Sequence, residues 1–191
     1  MRKLIAGMKI SLDGKIEGAG GMADWVEAWS EDYGLTDRID ACLLGGGMYP
    51  GYERYWTGLR DRPGEPAWIT GLPPTAGELE WADFAARTPH YVLSKSLSSA
   101  NWPNTRFLRD LDDVARLKAS GGKDIYLMGG ARISAALMDA GLVDELRLIV
   151  HPVIAGEGLA LFPAAMQRRS AKLLEAEVTP AGLLKVACAF G

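Results

Sequence analysis

Three segments of this chain join an apolar run to glycine in a way that suits an anionic ligand. In Ile125-Tyr126-Leu127-Met128-Gly129-Gly130-Ala131-Arg132-Ile133 a strand-like run meets two glycines and a helix starts at once. Glycine lets a ligand approach the backbone, and the free N–H groups of a first helical turn favour phosphate oxygens. Arg132 adds a cation in that turn. In Leu43-Leu44-Gly45-Gly46-Gly47-Met48-Tyr49, three consecutive glycines cost backbone entropy, which a close approach would explain and a flexible loop would also fit. In Val92-Leu93-Ser94-Lys95-Ser96, two hydroxyls flank a lysine and could hold a phosphate monoester such as the 2′-phosphate of NADP; a plain surface turn is the other reading. The spacing is not the Rossmann fingerprint.

Among the carboxylates, Asp13 follows the first apolar run and Glu157 lies between Gly156 and Gly158. Asp13 is either a turn residue or a group at the sheet end where ligands of open α/β sheets bind. Glu157 lies outside regular structure and could face a pocket. Asp24 reads as a helix cap and His151 as a structural hydrogen-bonder. Trp25 and Trp29, four residues apart, share a helix face that could wall a flat heterocycle or simply pack.

Composition narrows the classes. The chain has 191 residues, 48% apolar and 24% charged, with a net charge of −3. That is enough for one packed core and is too acidic to suggest nucleic acid or an anionic membrane. Two cysteines and two histidines, none at metal-ligand spacing, predict no metal site. Neither a leader pattern nor a membrane-spanning run is present, so a cytoplasmic protein is expected.

These residues need elements to hold them. Strands are expected at Leu4 to Leu12, Ala41 to Leu44, Tyr91 to Ser94, Ile125 to Met128 and Leu146 to Val150. Helices are expected from Asp24 through Ile39, at Glu78 to Ala86, at Asp110 to Ala119, and from Gly130 to Ala140 with Gly141 ending it. Residues 51 to 75 read as an irregular excursion, and Ala171 to Phe190 as a hairpin. Alternating strands and helices with an antiparallel end predict a three-layer α/β domain over 1–191, its mixed, mostly parallel sheet flanked by helices.

In order, Met8-Lys9-Ile10-Ser11-Leu12-Asp13-Gly14-Lys15-Ile16, Leu43-Leu44-Gly45, Val92-Leu93-Ser94-Lys95, Met128 to Ile133, Asp144 to Leu148 and His151 to Pro163 resemble the dihydrofolate-reductase-like family. The likeness is greatest to stand-alone relatives of the riboflavin-biosynthesis reductase (RibD C-terminal) domain. The resemblance implies an NADPH-dependent oxidoreductase transferring hydride to a small heterocycle, pterin- or pyrimidine-like. It implies Met8 and Ile16 beside the nicotinamide, Gly45, Gly46, Gly129 and Gly130 against the dinucleotide, Ala131, Arg132 and Ile133 at the diphosphate, and Ser94 and Lys95 near the ribose phosphate. Substrate would enter above the first strand, with Lys9, Trp25 and Tyr49 as its contacts and Asp13 or Glu157 as orienting or proton-delivering groups. Gly46 and Gly47 stand where relatives carry a basic residue, which leaves NADH open as a cofactor. Alternatives are the riboflavin-pathway 5-amino-6-(5-phosphoribosylamino)uracil reductase and a non-catalytic dinucleotide-binding protein. A homodimer is expected, from the family and from the apolar edge at Leu173-Leu174, Val178, Leu183-Leu184 and Val186.

Overall fold

A computed structural model describes residues 1–191. Strands β1 (Leu4–Ser11), β2 (Ile39–Gly45), β3 (His90–Leu93), β4 (Thr105–Leu108), β5 (Asp124–Gly129), β6 (Glu145–His151), β7 (Lys172–Val178) and β8 (Leu184–Ala189) form one sheet in the order β4-β3-β2-β5-β1-β6-β8-β7. Pairing is parallel from β4 to β6 and antiparallel at β6–β8 and β8–β7. The helices are α1 (Tyr49–Asp61), α2 (Ala76–Arg87), α3 (Leu111–Ala119) and α4 (Ala131–Asp139). This is the mostly parallel α/β architecture that the alternating pattern predicts, with the antiparallel hairpin at its end.

Side-chain alternation sorts the strands into two cores. Ile5, Cys42, Leu44 and Tyr126 face one side, where Tyr52, Tyr55 and Trp56 of α1 and Trp81 and Ala85 of α2 cover them. Leu4, Ala6, Leu43, Ile125 and Leu127 face the other, against Val114 and Leu117 of α3 and Ile133, Leu137 and Met138 of α4. Every residue of β1 is buried, as a strand apolar on both faces requires. Each fully buried Leu or Ile contributes about 1.5–3 kcal/mol by leaving water.

Three sequence expectations change. The stretch from Asp24 to Arg38 contains no helix. Side chains take up its backbone donors instead: the Glu31 carboxylate accepts from the amides of Tyr33, Leu35 and Thr36, and Glu78 accepts from that of Trp29. Such local bonds compete directly with i→i−4 pairing. Conversely, residues 49–61 are helical, with Tyr49, Tyr52, Trp56 and Leu59 buried at helical spacing. Aromatics, Gly51 and Gly58 mask that period. The short strand β4, beside β3, was not anticipated at all.

At the start of α2, Thr75 and Glu78 form a reciprocal capping box. Glu78, 2% exposed, also accepts from the Tyr55 hydroxyl. One carboxylate thus ties α1, α2 and the 24–38 segment together.

Candidate active-site cleft

The cleft begins where the sheet parts. β1 and β5 are in register only from Leu4↔Ile125 to Ala6↔Leu127, whereas β1 stays paired with β6 as far as Ser11↔His151. Beyond Ala6, Gly7, Met8 and Lys9 therefore have a strand partner, β6, on one side only. The result is a cleft of about 780 Å³. Its size is within the range of small-molecule and cofactor clefts.

At one end the glycine junctions meet. Gly45 is paired with Leu93 across β2–β3, and Leu44 with Gly129 across β2–β5, so the ends of β3, β2 and β5 lie side by side. A Cβ on Gly45 would lie 3.3 Å from Ile133 Cγ2 and 3.9 Å from the Gly130 nitrogen. Gly46 packs so tightly that its Cβ would lie 2.5 Å from Ser94 Cβ. Gly129 has φ +111° and is hemmed in by Met8, whereas Gly130 has nothing within 4 Å of the Cβ position. The Gly129–Gly130 peptide is cis. Gly130 caps α4 without a side-chain hydrogen bond, so the first amides of α4 are left to the cleft. Arg132 lines the cleft there, is exposed and forms no ion pair. An uncapped helix start beside a free guanidinium has the donors and charge to hold an anion.

The other end is aromatic. Trp29, Tyr33, Tyr52, Trp56, Trp81 and Tyr126 are among its lining. Burial raises the pKa of the Tyr33 and Tyr126 phenols, which keeps them neutral. Lys9, 8% exposed, donates to Asp32 at 2.7 Å and to the Ala28 carbonyl at 2.7 Å. Glu17 also lines the cleft, without a hydrogen bond or ion pair, while Glu31 is occupied by the backbone amides that donate to it.

Of the residues singled out in the sequence, Met8, Lys9, Ile16, Gly45, Gly46, Gly130, Ala131, Arg132 and Ile133 line this cleft. Gly129 lies just behind it. Ser94 and Lys95 are at the rim beside Gly46. Ser94 Oγ accepts from the amides of Ser96 and Leu97, Arg109 donates to the carbonyls of Ser94 and Leu97, and Lys95 is exposed.

Four candidates stand elsewhere. Asp13 does not line the cleft: its carboxylate accepts from Ser11 Oγ at 2.6 Å and from the amides of Ala155 and Gly156 at 2.9 and 2.8 Å. Those bonds, the one from Ser11 foremost, lower its pKa to about 2. It latches the 154–158 loop, which in turn holds the cleft residue Ile16 through its amide on the Leu159 carbonyl at 2.8 Å. Glu157 is exposed on that loop and does not line this cleft. Trp25 packs near Gly18 outside the lining. Tyr49 is 1% exposed and spends its hydroxyl on Glu53 and Thr105, so it supports α1 from inside the core. The cleft residues that sequence reasoning missed, Tyr52, Tyr55 and Trp56, are on that helix, and the 49-52-56-59 spacing was the signal for them. His151, 9% exposed, has its pKa lowered by burial and then by Lys9, and is not part of the cleft.

Comparison with known proteins agrees with this geometry. The RibD C-terminal domain family matches residues 2–185, and the chain belongs to that family, a reductase domain. Uncharacterized protein YyaP of Bacillus subtilis (strain 168) is 33% identical over 190 residues, covering 97% of this chain and 93% of YyaP. The fold is also that of a putative riboflavin biosynthesis protein from Shewanella sp. PV-4, with TM-score 0.70, 19% identity and 99% of each chain covered. A diaminohydroxyphosphoribosylaminopyrimidine deaminase/5-amino-6-(5-phosphoribosylamino)uracil reductase from Thermotoga maritima gives TM-score 0.63 at 17% identity, covering all of this chain and 57% of that one. No helix here is long and apolar enough to cross a membrane.

Proposed function

We propose that this protein is an NADPH-dependent reductase that delivers hydride to a small heterocyclic substrate, a pterin- or pyrimidine-like ring. The observation that carries the reading is the two-ended cleft, an anion-binding helix start at one end and an aromatic chamber at the other, opening along the free edge of β1. The anionic end fits the cofactor: Gly130 to Ile133 would hold the diphosphate, Met8 and Ile16 would flank the nicotinamide, and the Ser94–Lys95 turn would meet the 2′-phosphate. When bound, the cofactor supplies the hydride. The chain's own part is to align the two ligands and exclude water, through Met8, Ile16 and the chamber walls. Family membership supports reductase chemistry over a purely dinucleotide-binding role.

Tryptophan fluorescence should report NADPH binding with a preference over NADH. Gly130→Val adds a branched side chain into the open space before α4. It should leave native circular dichroism and weaken NADPH at least tenfold. Lys95→Ala should narrow the NADPH preference. Unchanged NADPH affinity in a folded Gly130→Val protein would overturn the assignment.

We further infer a homodimer. The support is the outer hairpin, where Leu173, Leu174 and Val178 are 59%, 48% and 71% exposed on the edge strand β7.

A further inference from the structure

Charge is distributed unevenly along the cleft. The free cation, Arg132, is at the α4 end with the helix amides, and under the proposed function both are taken by the cofactor diphosphate. In the aromatic chamber the one lining cation is Lys9, already bonded to Asp32 and the Ala28 carbonyl. Two carboxylates line the cleft, Glu17 and Glu31, and a Cβ on Gly21 would lie 4.0 Å from Glu17 Oε2. Glu17 has no partner, and its backbone is held on both sides. The Ile16 amide is bonded to Leu159, and Gly158 approaches the Glu17 carbonyl so closely that no Cβ would fit there.

We propose that the chamber selects a flat nitrogen heterocycle that carries no phosphate, its ring against the tryptophan and tyrosine walls and its N–H groups turned to the Glu17 carboxylate. This inference rests on the reductase reading and deepens it. A phosphate dianion placed here would leave water, face an unpaired carboxylate and find no uncommitted cation, and each of these disfavours it. Aromatic faces, by contrast, favour a flat ring, whether neutral or cationic. Arg54 is the nearest exception. Its guanidinium lies 5.1 Å from the Trp68 ring centre, but it is exposed and outside the lining. Within its family the chain therefore separates from the phosphoribosyl-substrate reductases by the electrostatics of the chamber.

The test uses matched pairs that differ only in phosphate: 5-amino-6-ribosylaminouracil and its 5′-phosphate, and neopterin and its 3′-phosphate. Each is titrated into protein saturated with NADPH, after NADPH binding itself has been measured on the same sample. The expected result is at least tenfold tighter binding of the unphosphorylated member of one pair or both. Glu17→Gln, which keeps the shape and removes the charge, should shrink that ratio by weakening the free heterocycle and relieving the phosphate. Tighter binding of the phosphorylated members, lost in Arg54→Ala, would overturn the inference while leaving the reductase reading intact. So would binding of no member up to millimolar concentration. Failure of NADPH itself to bind would instead remove the reductase reading, and this inference with it.

Discussion

The Asp13 carboxylate accepts from one hydroxyl and two backbone amides, and its charge serves the fold of the 154–158 loop. Its folded-state pKa, about 2, is below the ordinary 3.8. The latch is therefore fully present above the ordinary value and is lost as the pH falls through about 2. Asp13→Ala should speed amide exchange at Ala155 and Gly156 and, through Leu159, at Ile16, with smaller changes elsewhere. An unchanged exchange pattern in that loop would mean the three bonds do not hold it. Any fall in turnover in this variant should follow from a displaced Ile16, and so appear together with weaker NADPH binding. A residue acting on the substrate would change turnover alone.

At the scale of elements, Glu78 links a helix cap to a segment that the sequence presents as helical. Its carboxylate accepts from the Thr75 amide and hydroxyl, the Trp29 amide and the Tyr55 hydroxyl. Replacing it by glutamine puts an NH₂ donor among donors. Glu78→Gln should lower stability by about 2 kcal/mol in urea unfolding. It should also loosen the Trp29–Tyr33 wall of the cleft, which substrate titration would detect. The pKa of Glu78 is lowered by the hydrogen bonds it accepts, against the opposing effect of its burial. Its contribution is thus present above the ordinary carboxylate value and fades in acid below it.

For the whole molecule, His90 sets an acid limit above that of the carboxylates. It is fully buried, with Nδ1 2.8 Å from the Thr88 carbonyl and Nε2 3.2 Å from the Tyr52 hydroxyl. Burial lowers its pKa from 6.5 to about 4. The unfolded chain takes up a proton below 6.5 that the folded chain refuses, so stability is intact above 6.5 and declines as the pH falls towards 4. The loss should approach about 3 kcal/mol, and urea midpoints between pH 7 and pH 4 would measure it. His90→Gln should be less stable at pH 7 and flatter across that window. Assembly is tested at the same scale. Light scattering at micromolar concentration should give a dimer, and Leu173→Lys with Val178→Lys should give a folded monomer. A monomeric wild type would remove the dimer.

Much of this protein is determined locally and so was legible in the sequence. The strands β1, β2, β5 and β6 are short apolar runs that stop at turn signals, and the glycine junctions at 45–47 and 129–130 sit where those strands end. Whether each polar side chain meets a ligand or the backbone was decided by tertiary structure. Asp13 lies after a buried strand, as a ligand-orienting group would, yet two amides some 140 residues further along the chain claim it. The 24–38 segment has a helical pattern, but Glu31 and Glu78 give its amides other partners, one of them nearly 50 residues away. The cleft depends on where β1 and β5 stop pairing while β1 and β6 continue. That is a property of three strands held in one sheet, and no single segment carries it.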